Sequence, residues 1–208
     1  VRAVDVTLDD RGCPAFRLLS PAGEAPVRLA VAGEHQVSNA LAAAAVALEL
    51  GATPGGVAAT LSGYRPASRW RMEVTDRSDG VTVVNDAYNA NPESVAAALR
   101  TLAVLAGAHR RSWAVLGPLA ELGGASAQAY REIGKLVARL GIDRLIVVGE
   151  QARQLHCAVP GSVLVADIPA ALELLHGELA AGDVVLIKAS RSFGLERIAA
   201  ALLGGGSG

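Results

Sequence analysis

Polar side chains crowd at the few points of this chain where apolar runs stop. After Val81–Val84 comes Asn85-Asp86-Ala87-Tyr88-Asn89-Ala90-Asn91-Pro92-Glu93-Ser94. A carboxylate at the end of a strand, such as Asp86, is placed to accept from ribose hydroxyls, as in dinucleotide folds. Asn91, Pro92 and Glu93 also read as the N-cap, first turn and dipole partner of a helix. That capping role leaves Asp86, Tyr88 and Asn89 unaccounted for. After Val184–Ile187 comes Lys188-Ala189-Ser190-Arg191, two cations and a hydroxyl that suit an anion. A lysine there can equally carry its charge out to solvent. Gly117 to Gly123, after Trp113–Leu116, reads first as a tight turn. Gly33-Glu34-His35-Gln36-Val37-Ser38-Asn39 lies where a strand hands over to a helix. It is either a cap or a helix N-terminus whose polar groups read a base. His109, His156 and His176 read as surface residues without partners. The sequence has no GxxxxGK[ST], no GxGxxG after a strand and no metal-ligand spacing.

The elements that must position these residues follow from the apolar pattern. The chain has 208 residues, 51% hydrophobic and 19% charged, which is ample for a core and excludes disorder. A formal charge of −1 excludes a dedicated nucleic-acid binder. Lysine occurs only at 135 and 188, so Lys188 stands out. Mean hydropathy is +0.36, yet no run of 18 apolar residues appears and no membrane insertion is expected. Cys13 and Cys157 read as reduced thiols of a cytoplasmic protein. Strands are expected at Arg2–Leu8, Ala15–Leu19 and Val27–Val31, and helices over 36–50 and about 54–61. Gly63–Ser68 reads as a linker. Beyond it, β-branched runs at Val81, Trp113, Leu145, Val163 and Val184 alternate with helix-length segments. This predicts an α/β fold, a Rossmann-like doubly wound, mostly parallel sheet. The Gly204–Gly208 tail reads as structureless. A monomer is expected, because no exposed apolar stripe is evident.

Taken together these segments resemble the Mur ligases, specifically the MurF type, which join D-alanyl-D-alanine to UDP-N-acetylmuramoyl-tripeptide in peptidoglycan synthesis. The most specific match is Asp86-Ala87-Tyr88-Asn89-Ala90-Asn91-Pro92. Supporting matches are Gly33-x-His35-x-x-x-Asn39, Arg71-Met72, Val115-Leu116-Gly117 with Glu121-Leu122-Gly123, and Gly182-Asp183 through Lys188-x-Ser190-Arg191. The resemblance implies that residues 1–66 are the C-terminal part of a central ATP-binding domain and 67–208 the C-terminal Rossmann-like domain. It places the phosphate-binding loop and the Mg2+ ligands before Val1, so the chain alone is expected not to turn over. It implies ATP contacts from His35, Asn39, Arg71 and Asp86, with Asn39 at the adenine and Asp86 at the ribose. Tyr88, Asn89, Asn91, Glu121 and Ser190 would face substrate, and Lys188 and Arg191 the reaction centre. There they would stabilise the charge of a tetrahedral intermediate formed from an acyl phosphate.

Four positions depart from the family pattern. Trp70 stands where a glycine is usual, Pro118 where an aspartate is, Ala189 where a glycine is, and Tyr130 where a histidine is common. An indole beside Arg71 is placed to redirect it, and Pro118 removes a contact to the dipeptide amine. These departures carry the alternative reading, a non-catalytic nucleotide- or peptide-binding module derived from such a ligase. A sister ligase of the folylpolyglutamate synthetase type fits the layout but not Tyr88-Asn89-Ala90-Asn91-Pro92.

Overall fold

The computed structural model describes residues 1–65, 68–120 and 126–204. The expectations for Glu121, for Pro66 and Ala67 in the linker, and for the glycines of the tail after Gly204 lie outside them. The chain divides into two compact units, Val1–Ala67 and Ser68–Gly208.

The first unit is a three-stranded antiparallel sheet, β1 (Arg2–Leu8), β2 (Pro14–Ser20) and β3 (Gly23–Arg28), with helices α1 (Gln36–Glu49) and α2 (Pro54–Gly63). Phe16, Leu18, Val27, Ala44 and Val57 form its core. The third strand begins four residues earlier than its apolar pattern predicts. Ser20 pairs with Gly23, so the tight turn itself sets the register, and Pro26 is tolerated because β3 is an edge strand. Val46 and Leu50 stand exposed on and just beyond α1.

The second unit is a six-stranded sheet, β4 (Glu73–Asp76), β5 (Thr82–Asn85), β6 (Ser112–Leu116), β7 (Arg144–Val148), β8 (Val163–Val165) and β9 (Val184–Lys188). Its order is β4-β5-β9-β6-β7-β8, parallel except for β4. The doubly wound, mostly parallel expectation therefore holds. The antiparallel edge strand β4 escapes sequence reading because Glu-Val-Thr-Asp is not an apolar run. Helices α3 (Pro92–Ala106), α4 (Ser126–Leu140) and α5 (Arg153–Ala158) pack one against the next in chain order, and α6 (Ile168–Glu178) packs against α7 (Glu196–Gly204). Val83, Trp113, Val115, Ile146, Val185 and Ile187 meet α6 and α7 in one cluster. The alternate side chains Val84, Ala114, Leu116 and Leu186 are also buried, so both faces are covered.

The amino ends of the strands are tied by charge. Asp183, before β9, accepts from Arg111 Nε (2.9 Å) and Nη2 (2.7 Å), from the Trp113 indole (3.0 Å) and from Ala180 N (2.9 Å). Asp143 accepts from Ser112 N at 2.8 Å and Ser112 Oγ at 2.7 Å. These bonds, the backbone one first, hold its carboxyl below the ordinary carboxylate range. A depressed folded-state pKa stabilises above the unfolded value, and the contribution fades as pH falls through the folded one. Urea unfolding should show Asp143→Asn less stable than the parent at pH 7, with the gap closing in the acid range below the ordinary carboxylate pKa. A gap constant from pH 7 into acid would refute this account.

Candidate functional site

Helix α3 follows β5, and α7 follows its neighbour β9 with the other helical layer. Chain directions therefore diverge between β5, β9 and β6 at their carboxyl ends, the place where sheets of this kind collect ligands. The backbone ladder runs a little past the strands: Asp86 N donates to Ile187 O at 2.9 Å and Gly117 N to Lys188 O at 2.9 Å. Ser190 N donates to Pro118 O at 3.1 Å. Gly117 is required by this closeness, since a Cβ there would lie 2.7 Å from the Ala189 Cβ. Ala189 and Gly117 thus divide a space that holds one methyl group.

Lys188 is 2% exposed, and its ammonium neither snorkels to solvent nor points into open space. Nζ donates to Asp86 Oδ2 at 2.6 Å and to Asn89 O at 2.7 Å, with Asp86 O at 3.4 Å. The other Asp86 oxygen accepts from Met72 N at 3.1 Å. Asp86 and Lys188 are therefore an internal clamp binding β9 to the β5–α3 loop and to the segment before β4. Ser190 is also committed: its hydroxyl accepts from Ala120 N (2.8 Å) and donates to Ala90 O (3.2 Å). Asn91 caps α3, its Oδ1 accepting from Ser94 N at 2.8 Å while Ser94 Oγ accepts from Asn91 N at 3.0 Å. Pro92 follows in the first turn, as the sequence reading expects. Asn89 is exposed, and its Oδ1 accepts from Ala90 N at 2.8 Å.

The groups that face outward are cations on rings. The Arg71 guanidinium lies 4.1 Å from the Tyr88 ring centroid. Arg191 lies 5.2 Å from Tyr88 and 5.5 Å from Trp70, and Arg69 lies 5.7 Å from Trp70. Among the described residues, no hydrogen bond or ion pair engages these three guanidiniums. The Trp70 indole thus engages Arg191 and Arg69, while Arg71, which it was expected to redirect, sits on Tyr88. Sequence reasoning missed this ring-and-cation array, because cation–π partners carry no fixed spacing. Tyr130, read from the sequence only as a departure from the family pattern, is 3% exposed, and its hydroxyl accepts from Leu119 N at 3.1 Å and holds the loop after β6. Burial pushes that hydroxyl's pKa up.

His35 and Asn39 lie in the first unit. Asn39 Nδ2 donates to Gln36 Oε1 at 3.0 Å, and the Gln36 amide meets the His35 ring at 3.1 Å, a short chain at the start of α1. Gly33, at φ +112°, makes the turn that enters it. Of the histidines read as partnerless, His156 has one, its Nδ1 lying 2.9 Å from Ser162 Oγ. Mg2+ is usually held by one or two carboxylates together with waters and substrate phosphates. Each Asp86 oxygen already accepts one hydrogen bond, and among the described residues no group of three or more His, Cys, Asp or Glu is placed to hold a metal ion. No described helix is long and apolar enough to cross a membrane.

Residues 70–191 match the family described as Mur ligase, glutamate ligase domain. The chain belongs to this family. The Mur ligase match begins at Trp70 and ends at Arg191, the two residues whose ring and guanidinium meet at the strand ends. A UDP-N-acetylmuramoyl-tripeptide–D-alanyl-D-alanine ligase of Mycobacterium tuberculosis is 48% identical over 226 aligned residues, covering 98% of this chain and 44% of the relative. The enzyme of that name from Escherichia coli is 33% identical over 189 residues, covering 90% and 41%. A crystal structure of MurF from Acinetobacter baumannii superposes with a TM-score of 0.87 at 29% identity, covering 97% of this chain and 44% of that one. The chain thus spans less than half the length of these Mur ligases.

Proposed function

We propose that this chain supplies the nucleotide- and amine-facing part of an ATP-dependent amide ligase that joins D-alanyl-D-alanine to UDP-N-acetylmuramoyl-tripeptide. The observation that carries this reading is the set of guanidiniums on Tyr88 and Trp70, engaged by no acid among the described residues and set at the strand ends beside the Asp86–Lys188 clamp. In such a ligase ATP transfers its terminal phosphoryl group to the tripeptide carboxylate, giving an acyl phosphate and ADP. The dipeptide amine attacks the acyl carbon, loses a proton, and inorganic phosphate leaves.

In this reading residues 1–66 belong to a central ATP-binding domain and 67–208 to the C-terminal domain. Arg71 and Arg191 offer N–H donors to phosphoryl oxygens and to the negative charge of the tetrahedral intermediate. Asp86 keeps lone pairs beyond those taken by Met72 N and Lys188, so it can accept from a ribose hydroxyl. Lys188 acts through Asp86 and Asn89 as a positioning residue, Ser190 by stitching the three loops, and Asn91 by capping α3. Tyr88 and Asn89 face the amine substrate, and His35 and Asn39 the base. Magnesium ligands and the phosphate-binding loop are contributed by residues outside this chain.

The test is a chimera in which these 208 residues replace the corresponding part of the Mycobacterium tuberculosis relative, assayed by phosphate release. Ligation dependent on both ATP and D-alanyl-D-alanine is expected from the chimera and none from the chain alone. Arg191→Ala in the chimera should lower kcat by about 10²–10³-fold, the usual cost of losing one transition-state donor. A folded chimera that binds D-alanyl-D-alanine without turnover would sink the ligase reading and leave the binding module.

A further inference from the structure

Trp70 is the residue of this candidate site that its own backbone least favours. It sits at φ +63°, in the left-handed region that costs a bulky side chain most, and Met72 follows at φ +49°. Two hydrogen bonds impose the shape. Tyr88 N donates to Trp70 O at 3.1 Å, and Met72 N donates to Asp86 Oδ1 at 3.1 Å. Backbone strain of this kind persists where surrounding structure over-determines it, and it gathers at binding and catalytic sites. What the strain achieves here is visible: the indole is delivered to the Arg191 guanidinium, 5.5 Å from the ring centroid, and Tyr88 approaches the same guanidinium at 5.2 Å.

An exposed arginine ordinarily samples many rotamers, and ordering it on binding costs entropy. Two rings in contact with one guanidinium reduce that freedom before any ligand arrives. Rings attract the cation through its face and leave its in-plane N–H groups for an acceptor. Arg71 beside Tyr88 and Arg69 beside Trp70 add two more guanidiniums without carboxylate partners among the described residues. Three such charges together favour an anion with several oxygens.

We propose that Trp70 is a positioning residue: from its left-handed backbone the indole, together with Tyr88, holds the Arg191 guanidinium as a preorganised platform for the phosphoryl anion of the ligase reading. The identity of the anion rests on the ligase reading; the platform itself does not require ligation to be tested. A nucleotide tail and an acyl phosphate share the needed oxygens. Inorganic pyrophosphate stands in for the first and acetyl phosphate for the second.

The experiment is isothermal titration of each probe into the 208-residue chain and its variants, with thermal melting alongside. Saturable binding is expected for the parent. Trp70→Gly should weaken it about five- to tenfold while leaving the melting temperature unchanged or higher, because glycine relaxes the left-handed backbone. Trp70→Phe keeps a ring and should stay within about twofold of the parent. A stronger response to pyrophosphate places the nucleotide tail on the platform, and a stronger response to acetyl phosphate places the acyl phosphate there. The proposal is overturned if the parent takes up neither probe, if Trp70→Gly binds like the parent, or if affinity simply follows the melting temperature across the variants. Failure of the chimera to ligate, with these affinities intact, would remove the ligase reading and leave the platform standing.

Discussion

Lys188→Ala is expected to destabilise the Ser68–Gly208 unit by about 3–5 kcal/mol, the range for breaking a buried ion pair by deleting one partner. The side chain is 2% exposed and the Asp86 side chain 14%, so water cannot replace what is lost. Removing the ammonium leaves Asp86 Oδ2 and the Asn89 carbonyl without their donor, and leaves the space of the aliphatic stem empty. Lys188→Met separates these effects, since it fills the space but carries no charge. It should recover only the packing share of the loss. Adding Asp86→Asn to Lys188→Met should recover more, because a neutral amide no longer requires a cation. Urea unfolding followed by tryptophan fluorescence is the measurement, and both tryptophans lie in this unit. A loss under about 1 kcal/mol for Lys188→Ala would mean that the pair is solvent-screened like a surface one. Lys188→Arg is not expected to rescue, because a planar guanidinium cannot make the same compact contacts in a filled site.

Asp183→Ala should cost a comparable amount, about 3–5 kcal/mol, at the opposite end of the same strand. The Asp183 side chain is 4% exposed while its partner Arg111 is 48% exposed, so the ion pair alone is half screened. The greater part of the cost lies in the Trp113 indole and the Ala180 amide, which lose their acceptor. Each orphaned buried donor is worth about 1–3 kcal/mol. Asp183→Asn keeps one acceptor oxygen and should cost less than the alanine variant. High salt should leave the difference between parent and Asp183→Ala largely unchanged, because the screened Arg111 contact is its minor part. If 1 M salt abolished the difference, the surface ion pair and not the buried donors would be responsible.

The two ends of the sheet therefore use charge differently. At the amino ends, Asp183, Arg110 and Arg111 are consumed by neighbours: Arg110 donates to Gly182 O at 2.7 Å and to Thr82 Oγ1 at 2.6 Å. Around the carboxyl ends of β5 and β9, among the described residues, Lys188 is consumed while Arg69, Arg71 and Arg191 are left on rings. A Gly-Asp before β9 and a Lys-x-Ser-Arg after it look alike as sequence motifs, yet the first is a structural knot and the second borders the candidate site.

Much was legible because it depends on neighbours in the chain. The alternation of β-branched runs with capped helices is local, and it produced the parallel, doubly wound sheet. Asn91-Pro92 announced the start of α3, and the polar residues after each strand marked the end of the sheet where ligands collect. The roles of those residues were not local. Placing β9 between β5 and β6 is a matter of sheet order, and it alone brings Lys188 to Asp86 across 102 residues of chain. Lysine at a strand end is compatible with an exposed anion binder and with a buried clamp; only the count of acceptors around Nζ separates the two. Trp70 was legible as an odd residue but not as a useful one. Its left-handed backbone and its contact with Arg191 exist only once β4 is folded against β5 and the loops after β5 and β9 are packed side by side. Residue types thus settled what kind of fold and chemistry this chain could support, since propensity and capping act over a few residues. Which charges are spent on stability and which remain for a ligand was decided by packing, because burial and pairing are properties of residues brought together from distant parts of the chain.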